Sequence, residues 1–561
     1  MLMNEFPSTP GSPRFPTFVC LWRWLSSGFP TFTRLFRWLF SRRTLGHVLV
    51  GLAALATLIA LVCAEENWRG KWAWERYKHQ LEAQGEKLDW KDYVAPPVPD
   101  AQNFAMTPFL APLFDFNSEP RQEGQSFWRD TNGYNRICSL QWEIGRLEST
   151  SAEHNPYYAL QQMTDLPGWA AALTGKTNKA PAAAAPSLTR AEAAAAVLRG
   201  LEKYNPVVEE LRSASQRPYA RFNIHYDAEY APAILLPHLA FLHGANSLFQ
   251  VRASAELALD RTDQAWSDTK MALYLADTLK EEPFLISRLV QSSKVLISLK
   301  PIWEGLAEHK WSDAQLVEME QRLGQINLLA DAAMRGERAM HILTADQLRL
   351  HGRPDPEDSR QLPGFVSLLF GGYFYQNQLF ITRMCQQFIV PVVDAANQRI
   401  YPSRAVANEA AMIKAIASGF RPYRLFARML LFGSTGWLSG GITQAETDFG
   451  FGQTRVNEAI VACALERYRL AQRQFPESME ALSPRFLQKI PHDILTGAPL
   501  IYRRTADGQF ILYSVGWNEK DDGGKVVMTK ANQPSPDLTE GDWVWQYSAP
   551  AVTLIRNTAR D

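Results

Sequence analysis

"RASAELALDRTDQAWSDTKMALYLADTL", Arg252 to Leu279, places apolar residues three and four positions apart and breaks once, at Asp260 to Asp263. That spacing lines one face of an α-helix, and so short a polar break joins antiparallel neighbours. The stretch therefore predicts a helical hairpin. The same texture runs from Pro232 to Trp311, with a second break at "KEEP" (Lys280 to Pro283), and more coarsely through residues 187–450. Thr189 with Glu192, and Ser312 with Gln315, fit capping boxes in which each side chain satisfies the other's backbone amide. Residues 187–450 are expected to form one helical domain.

Ala253, Ala265 and Ala272 fall where two helices must approach closely, and in this the hairpin resembles a tetratricopeptide unit. One copy is visible. A solenoid needs at least about three units to bury its faces, so a stacked solenoid and an ordinary helix pair both stand. The fold class expected is mainly α: a transmembrane helix, a weakly tetratricopeptide-like extracytoplasmic helical domain, and a small α+β domain with an antiparallel sheet.

The transmembrane helix is read from "TLGHVLVGLAALATLIALVCA", Thr44 to Ala64, which holds no Asp, Glu, Lys or Arg. At about 1.5 Å per residue it is long enough to cross a hydrocarbon core of about 30 Å. Six arginines and one acid lie in residues 1–64, so the positive-inside rule puts segment 1–43 in the cytoplasm and the rest outside it. An inner-membrane location follows, with the bulk periplasmic or otherwise extracytoplasmic. Segment 1–43 repeats a pattern: Phe15-Pro16-Thr17-Phe18 returns as Phe29-Pro30-Thr31-Phe32, each followed by aromatics and arginine. This is an interfacial lipid-binding helix or the basic flank that orients the span.

Beyond the span, residues 65–186 read as a juxtamembrane and irregular region. Pro96, Pro97, Pro99, Pro108 and Pro112 favour an extended strap over a domain, and Lys176 to Pro186 reads as a linker. Outside residues 1–64, acids outnumber bases 57 to 52, which argues against a nucleic-acid surface. The cysteines beyond the span, Cys138, Cys385 and Cys463, are too far apart for a disulfide framework. Pro363 to Thr382 is free of formal charge, but Gln376 to Gln378 are costly in lipid and Gly371-Gly372 should break the helical run. It is expected to pack in the core or on a membrane surface.

Towards the C-terminus, the glycines from Gly433 to Gly452 read as a flexible connector, and residues 455–561 as a separate domain. Val456, Ala459, Ile460, Cys463, Ala464 and Tyr468 recur at helical spacing, and Ile501 to Arg503 and Phe510 to Val515 read as strands joined at Asp507-Gly508. Three pieces, "ALERYRLAQRQFPESMEAL" (Ala464–Leu482), "PHDILTGAPLIYRR" (Pro491–Arg504) and "FILYSVGWNEKDDGGK" (Phe510–Lys525), resemble the globular part of the major pseudopilins of type II secretion, over Asn457 to Asp542. The methylated N-terminal helix of that family is not in front of them, so the resemblance implies a module and not a filament subunit. It also implies a calcium site in the loop after the last strand, with Asp521 and Asp522 as ligands and Asp542 or Asp537 as a third. The other reading of that loop is a solvated Asp-Asp-Gly-Gly turn.

Catalytic motifs are not found: the sequence holds no HExxH, no phosphate loop and no nucleophile elbow. His238 and His243 would point about 140° apart on a helix. His225, Asp227 and Glu229 alternate, and Glu337 pairs with His341 at i,i+4. Two functions remain. One is a membrane-anchored envelope protein that contacts lipid and other envelope proteins without catalysis, linked to a secretion or pilus-like apparatus. The other is a membrane-tethered hydrolase working around His225 or His341.

Overall fold

The computed structural model describes residues 42–117, 126–150, 162–174, 188–226, 233–329, 332–351, 371–417, 441–529 and 535–547. The segment before Arg42, the Lys176–Pro186 linker, Asp227, Glu229, Pro363 to Phe370, and Gly433, Gly436 and Gly440 lie outside them. The chain is mainly helical. Its helices are α1 (Arg42–Ala83), α2 (Thr131–Thr150), α3 (Leu166–Leu173), α4 (Arg190–Leu201), α5 (Asn205–Ala214), α6 (His238–Ala258) and α7 (Thr262–Asp277). They continue with α8 (Leu285–Ala307), α9 (Asp313–Leu323), α10 (Ala332–His351), α11 (Gly371–Met384), α12 (Pro402–Ala417) and α13 (Ile442–Gln472).

Among the described residues, α1 is the one helix long and apolar enough to cross a bilayer, and its most apolar window, of mean hydropathy 2.4, is wholly unburied. The helix does not end with the apolar stretch. It runs on through Glu65 and Glu66 to Ala83, where an irregular segment was expected. Its far half buries Trp74 and Leu81 against Ile342 of α10 and Leu379 of α11. Gly371 and Gly372 are both helical, within α11. A Cβ on Gly372 would stand 2.5 Å from the Glu66 carbonyl, and one on Gly70 would stand 2.9 Å from the Gly372 carbonyl. The glycines serve a backbone-to-backbone crossing, which only a residue without a side chain permits.

The centre is a stack of helix pairs. Asn246 on α6 meets Ser298 on α8, and further along Ser254 and Glu304 meet the same residue, so α6 and α8 run in one direction. Ser292 meets Asp448 and, just past α8, His309 meets Glu466, so α13 runs with them. The returning helices α7 and α9 lie against this parallel set. Both expected capping boxes form, and Ala253, Ala265 and Ala272 are completely buried. The Pro-rich strap follows as short 3-10 turns that bury Trp90, Phe104, Phe109 and Leu113 in a core shared with α2 to α7.

The seam that sequence assigns to a flexible connector is helix from Ile442 onward. Gly450 faces Ile400 and Trp543, while a Cβ on Gly452 would run into Ser292 Oγ and Leu328. These glycines let α13 sink into its neighbours. One face of α13 contacts α8 and α9, and another covers the antiparallel sheet of β3 (Ile501–Arg504), β4 (Phe510–Ser514) and β7 (Trp543–Trp545). A hairpin of β1 (Val393–Asp394) and β2 (Arg399–Ile400), and another of β5 (Val526–Met528) and β6 (Pro536–Gly541), complete the strands. The expected Asp507-Gly508 turn joins β3 to β4 in the register Tyr502 to Leu512. A single apolar cluster unites α8, α9, α13 and this sheet.

Candidate functional site

α6 is buried almost all round, yet it carries a polar stripe: His243, Ser247, Gln250 and Ser254. The spacing i, i+4, i+7, i+11 puts them on one face. α8 answers with Gln291, Lys294, Ser298 and Glu304, all buried. Buried polar groups must find partners or cost about 1–3 kcal/mol each, and the partner here is a piece of distant chain.

Met163-Thr164, leading into α3, lies in the cleft between the two helices. Thr164 donates its amide to Glu304 Oε1 at 2.6 Å and its hydroxyl contacts the same atom at 2.5 Å. The hydroxyl also meets Ser254 Oγ at 3.0 Å and accepts from Gln250 Nε2 at 3.1 Å. Arg190, at the start of α4, closes the circuit: one guanidinium nitrogen donates to the Thr164 carbonyl at 3.0 Å and the other to Glu304 Oε2 at 3.2 Å. Asp165 caps α3 through the amide of Gly168. Thr164 thus has its amide, carbonyl and hydroxyl all engaged and is 2% exposed. A carboxylate, a hydroxyl and an amide facing backbone groups are suited to holding a peptide, since they match its N–H and C=O groups.

The other end of the cleft is built from Lys294, which contacts His243 Nδ1. Ser298 Oγ donates to the Lys294 carbonyl and accepts from Asn246. Ser247 Oγ, 2% exposed, has no hydrogen-bond partner among the described residues. His243 itself is exposed. Sequence reasoning missed Thr164, Arg190, Gln250 and Glu304. The signal available was the polar stripe inside an otherwise apolar helix.

Of the residues proposed for catalysis, Glu337 and His341 are neighbours and His225 is engaged elsewhere. His225 stacks on Phe116 with ring centroids 4.3 Å apart. Glu337 and His341 lie on α10, 3.8 Å from one another and only 4% and 2% exposed. Burial pushes the Glu337 carboxyl up to about 7, opposed by the Leu285 amide, and drives the His341 imidazole down to about 4. Both environments favour the neutral forms. His238 and His243 do diverge: His238 bonds Glu282 at 2.7 Å, far from Lys294. A shallow recess beside β1 is lined by Arg335, Asp394, Tyr401 and Arg404. Its cations are already engaged, Arg335 by Glu86 and Arg404 by the Pro391 carbonyl.

At the C-terminal loop, Asp542 is 2% exposed and accepts from the amides of Asp522, Gly524 and Lys525, at 3.2, 2.6 and 3.2 Å. Burial still holds its carboxyl above the usual range. Asp521 accepts from the Tyr513 hydroxyl and the Gly523 amide, and Asp522 from Asn518. Asp537 turns to Thr539. Among the described residues no group of three or more His, Cys, Asp or Glu is placed to hold a metal ion. Compared with protein-family models, with characterised proteins and with solved structures, the chain matches none.

Proposed function

We propose that the chain is a single-pass envelope protein, its N-terminus cytoplasmic and its body outside the inner membrane, that serves as a non-catalytic scaffold for other proteins. The observation that carries this is the seating of Thr164. The parallel helices of the stack already grip a non-helical segment through side chains that read backbone, and stacked helix pairs present concave surfaces of this kind to partners. The order α6, α7, α8, α9 and α13 supports the tetratricopeptide-like reading of Arg252 to Leu279. The packing of α13 on β3, β4 and β7 supports the pseudopilin-like one, and directs the search for partners towards a secretion or pilus-like apparatus.

A reporter fused after Ala64 tests the topology: activity confined to an exported compartment is expected, and cytoplasmic activity would overturn the orientation. A photo-crosslinking residue in place of His243, in the full chain in its own membrane, tests the scaffold. The expected result is a discrete adduct with an extracytoplasmic protein that weakens when Lys294 is replaced by Glu. Adducts with lipid alone would overturn the reading.

A further inference from the structure

We propose that the body does not stand off on α1 but is seated on the bilayer, through an aromatic collar built from three helix ends. The proposal rests on the reading of α1 as a span. Because α1 is one uninterrupted helix, positions along it are fixed by a rise of about 1.5 Å per residue, which puts Trp68 about 6 Å and Trp72 about 12 Å beyond Ala64. The polar layer on each side of the hydrocarbon core is roughly 5–8 Å deep, so Trp68 falls inside it and Trp72 about 4 Å beyond its outer edge. Both rings are exposed, at 69% and 54%. Tryptophan is the side chain that prefers this boundary, its ring in the apolar margin and its N–H towards water.

Two further helices reach the same level. The Gly372 crossing against Glu66 and Gly70 sets Tyr373, Phe374 and Tyr375, each half-buried, beside the first turn of α1 outside the apolar stretch. α10 runs the opposite way. Arg338, near its start, holds Glu86 beyond the far end of α1, while Arg349, near its finish, lies over the Tyr375 ring at 4.9 Å. Leu350 is therefore carried down to the collar, where it is 58% exposed. Residues from three remote parts of the chain meet at one height. The charges there are balanced: Arg69 pairs with Glu65 and Glu66 and Arg349 with Asp346, while Arg76 stacks on Trp72 at 5.3 Å beside Glu75. Aromatic rings interleaved with paired charges fit the zwitterionic headgroup layer of a phospholipid bilayer.

The test uses the full chain in phosphatidylethanolamine–phosphatidylglycerol liposomes carrying acyl chains brominated near the headgroup, which quench indoles at that depth. The double variant Trp68→Phe, Trp72→Phe should lose part of the quenching, and Leu350→Trp should add an emission quenched by lipid and shielded from aqueous iodide. Leu350 is the decisive position, since any single-pass protein would place Trp68 near the surface. Quenching of the new indole by iodide and not by lipid would overturn the proposal, as would shielding from iodide without lipid quenching, which would mean that protein covers the collar. Extraction with carbonate separates the two failures. A chain released by carbonate refutes the span itself, whereas a retained chain with an unquenched Leu350→Trp indole refutes only the seat.

Discussion

Thr164 and Glu304 are joined twice, amide and hydroxyl both reaching one carboxylate oxygen across 140 positions of sequence. Replacing Thr164 by Val keeps the shape and removes the hydroxyl from Glu304, Ser254 and Gln250 together. The expected loss is about 1–3 kcal/mol, read as a lower melting temperature of the full chain in detergent. A variant as stable as the wild type would show that the segment is merely draped over the cleft.

Glu337 gives stability a defined slope with pH. Its folded value of about 7 lies above the ordinary 4.5, so the folded chain binds the extra proton. The contribution is complete below pH 4.5 and is lost as pH rises through 7, amounting to roughly 3 kcal/mol at 1.36 kcal/mol per unit. Glu337→Gln should remove this decline, so that variant and wild type diverge progressively between pH 5 and 8 in denaturant titrations. His341, lowered to about 4, acts with the opposite sign: its contribution is present above pH 6.5 and lost as pH falls through 4. His341→Gln should flatten the acid side only.

Gly452 tests how tightly α13 is set into the stack. Gly452→Ala pushes a methyl group into Ser292 Oγ and Leu328 Cδ1, and overpacking of this kind costs about 1–3 kcal/mol. Adding Ser292→Ala should restore part of that loss, as measured by a double-mutant cycle. Additive losses would mean that the two sites do not touch.

A fragment from Arg455 to Asp561 begins thirteen residues inside α13 and exposes the face that α8 and α9 cover. It should give no cooperative thermal transition alone, and gain one when α8 and α9 are retained. A fragment that melts cooperatively would establish the sheet and the second half of α13 as an independent module.

Asp542 separates the two readings of the C-terminal loop. With both oxygens taken by backbone amides, the expected melting temperature is the same with calcium or with chelator, while Asp542→Ala lowers it by about 1–3 kcal/mol equivalent. A calcium-dependent rise that disappears in an Asp521→Ala, Asp522→Ala variant would establish the metal site.

The helices were legible because their signals are local: two capping boxes, the 3.6-residue period and the Asp507-Gly508 turn each involve residues a few positions apart. The glycines were misread for a related reason. Gly450 and Gly452 look like breaks when only neighbours in sequence are considered, whereas what requires them is side chains far away. The cleft was illegible on the same ground. Nothing near Thr164 announces Glu304, and a stripe such as His243 to Ser254 reads as a solvent face until a segment is seen lying on it.

An unbroken α1 also has a mechanical meaning. From Arg42 to Ala83 it is a rod of about 63 Å, apolar enough to cross a bilayer in its first part, crossed near its middle by Gly372 and held at its far end, through Glu86 just beyond it, by Arg335 and Arg338. There is no swivel between the two. With the first part spanning as proposed, any tilt of the rod would be delivered as torque to α10 and α11, and through them to the helices packed on them.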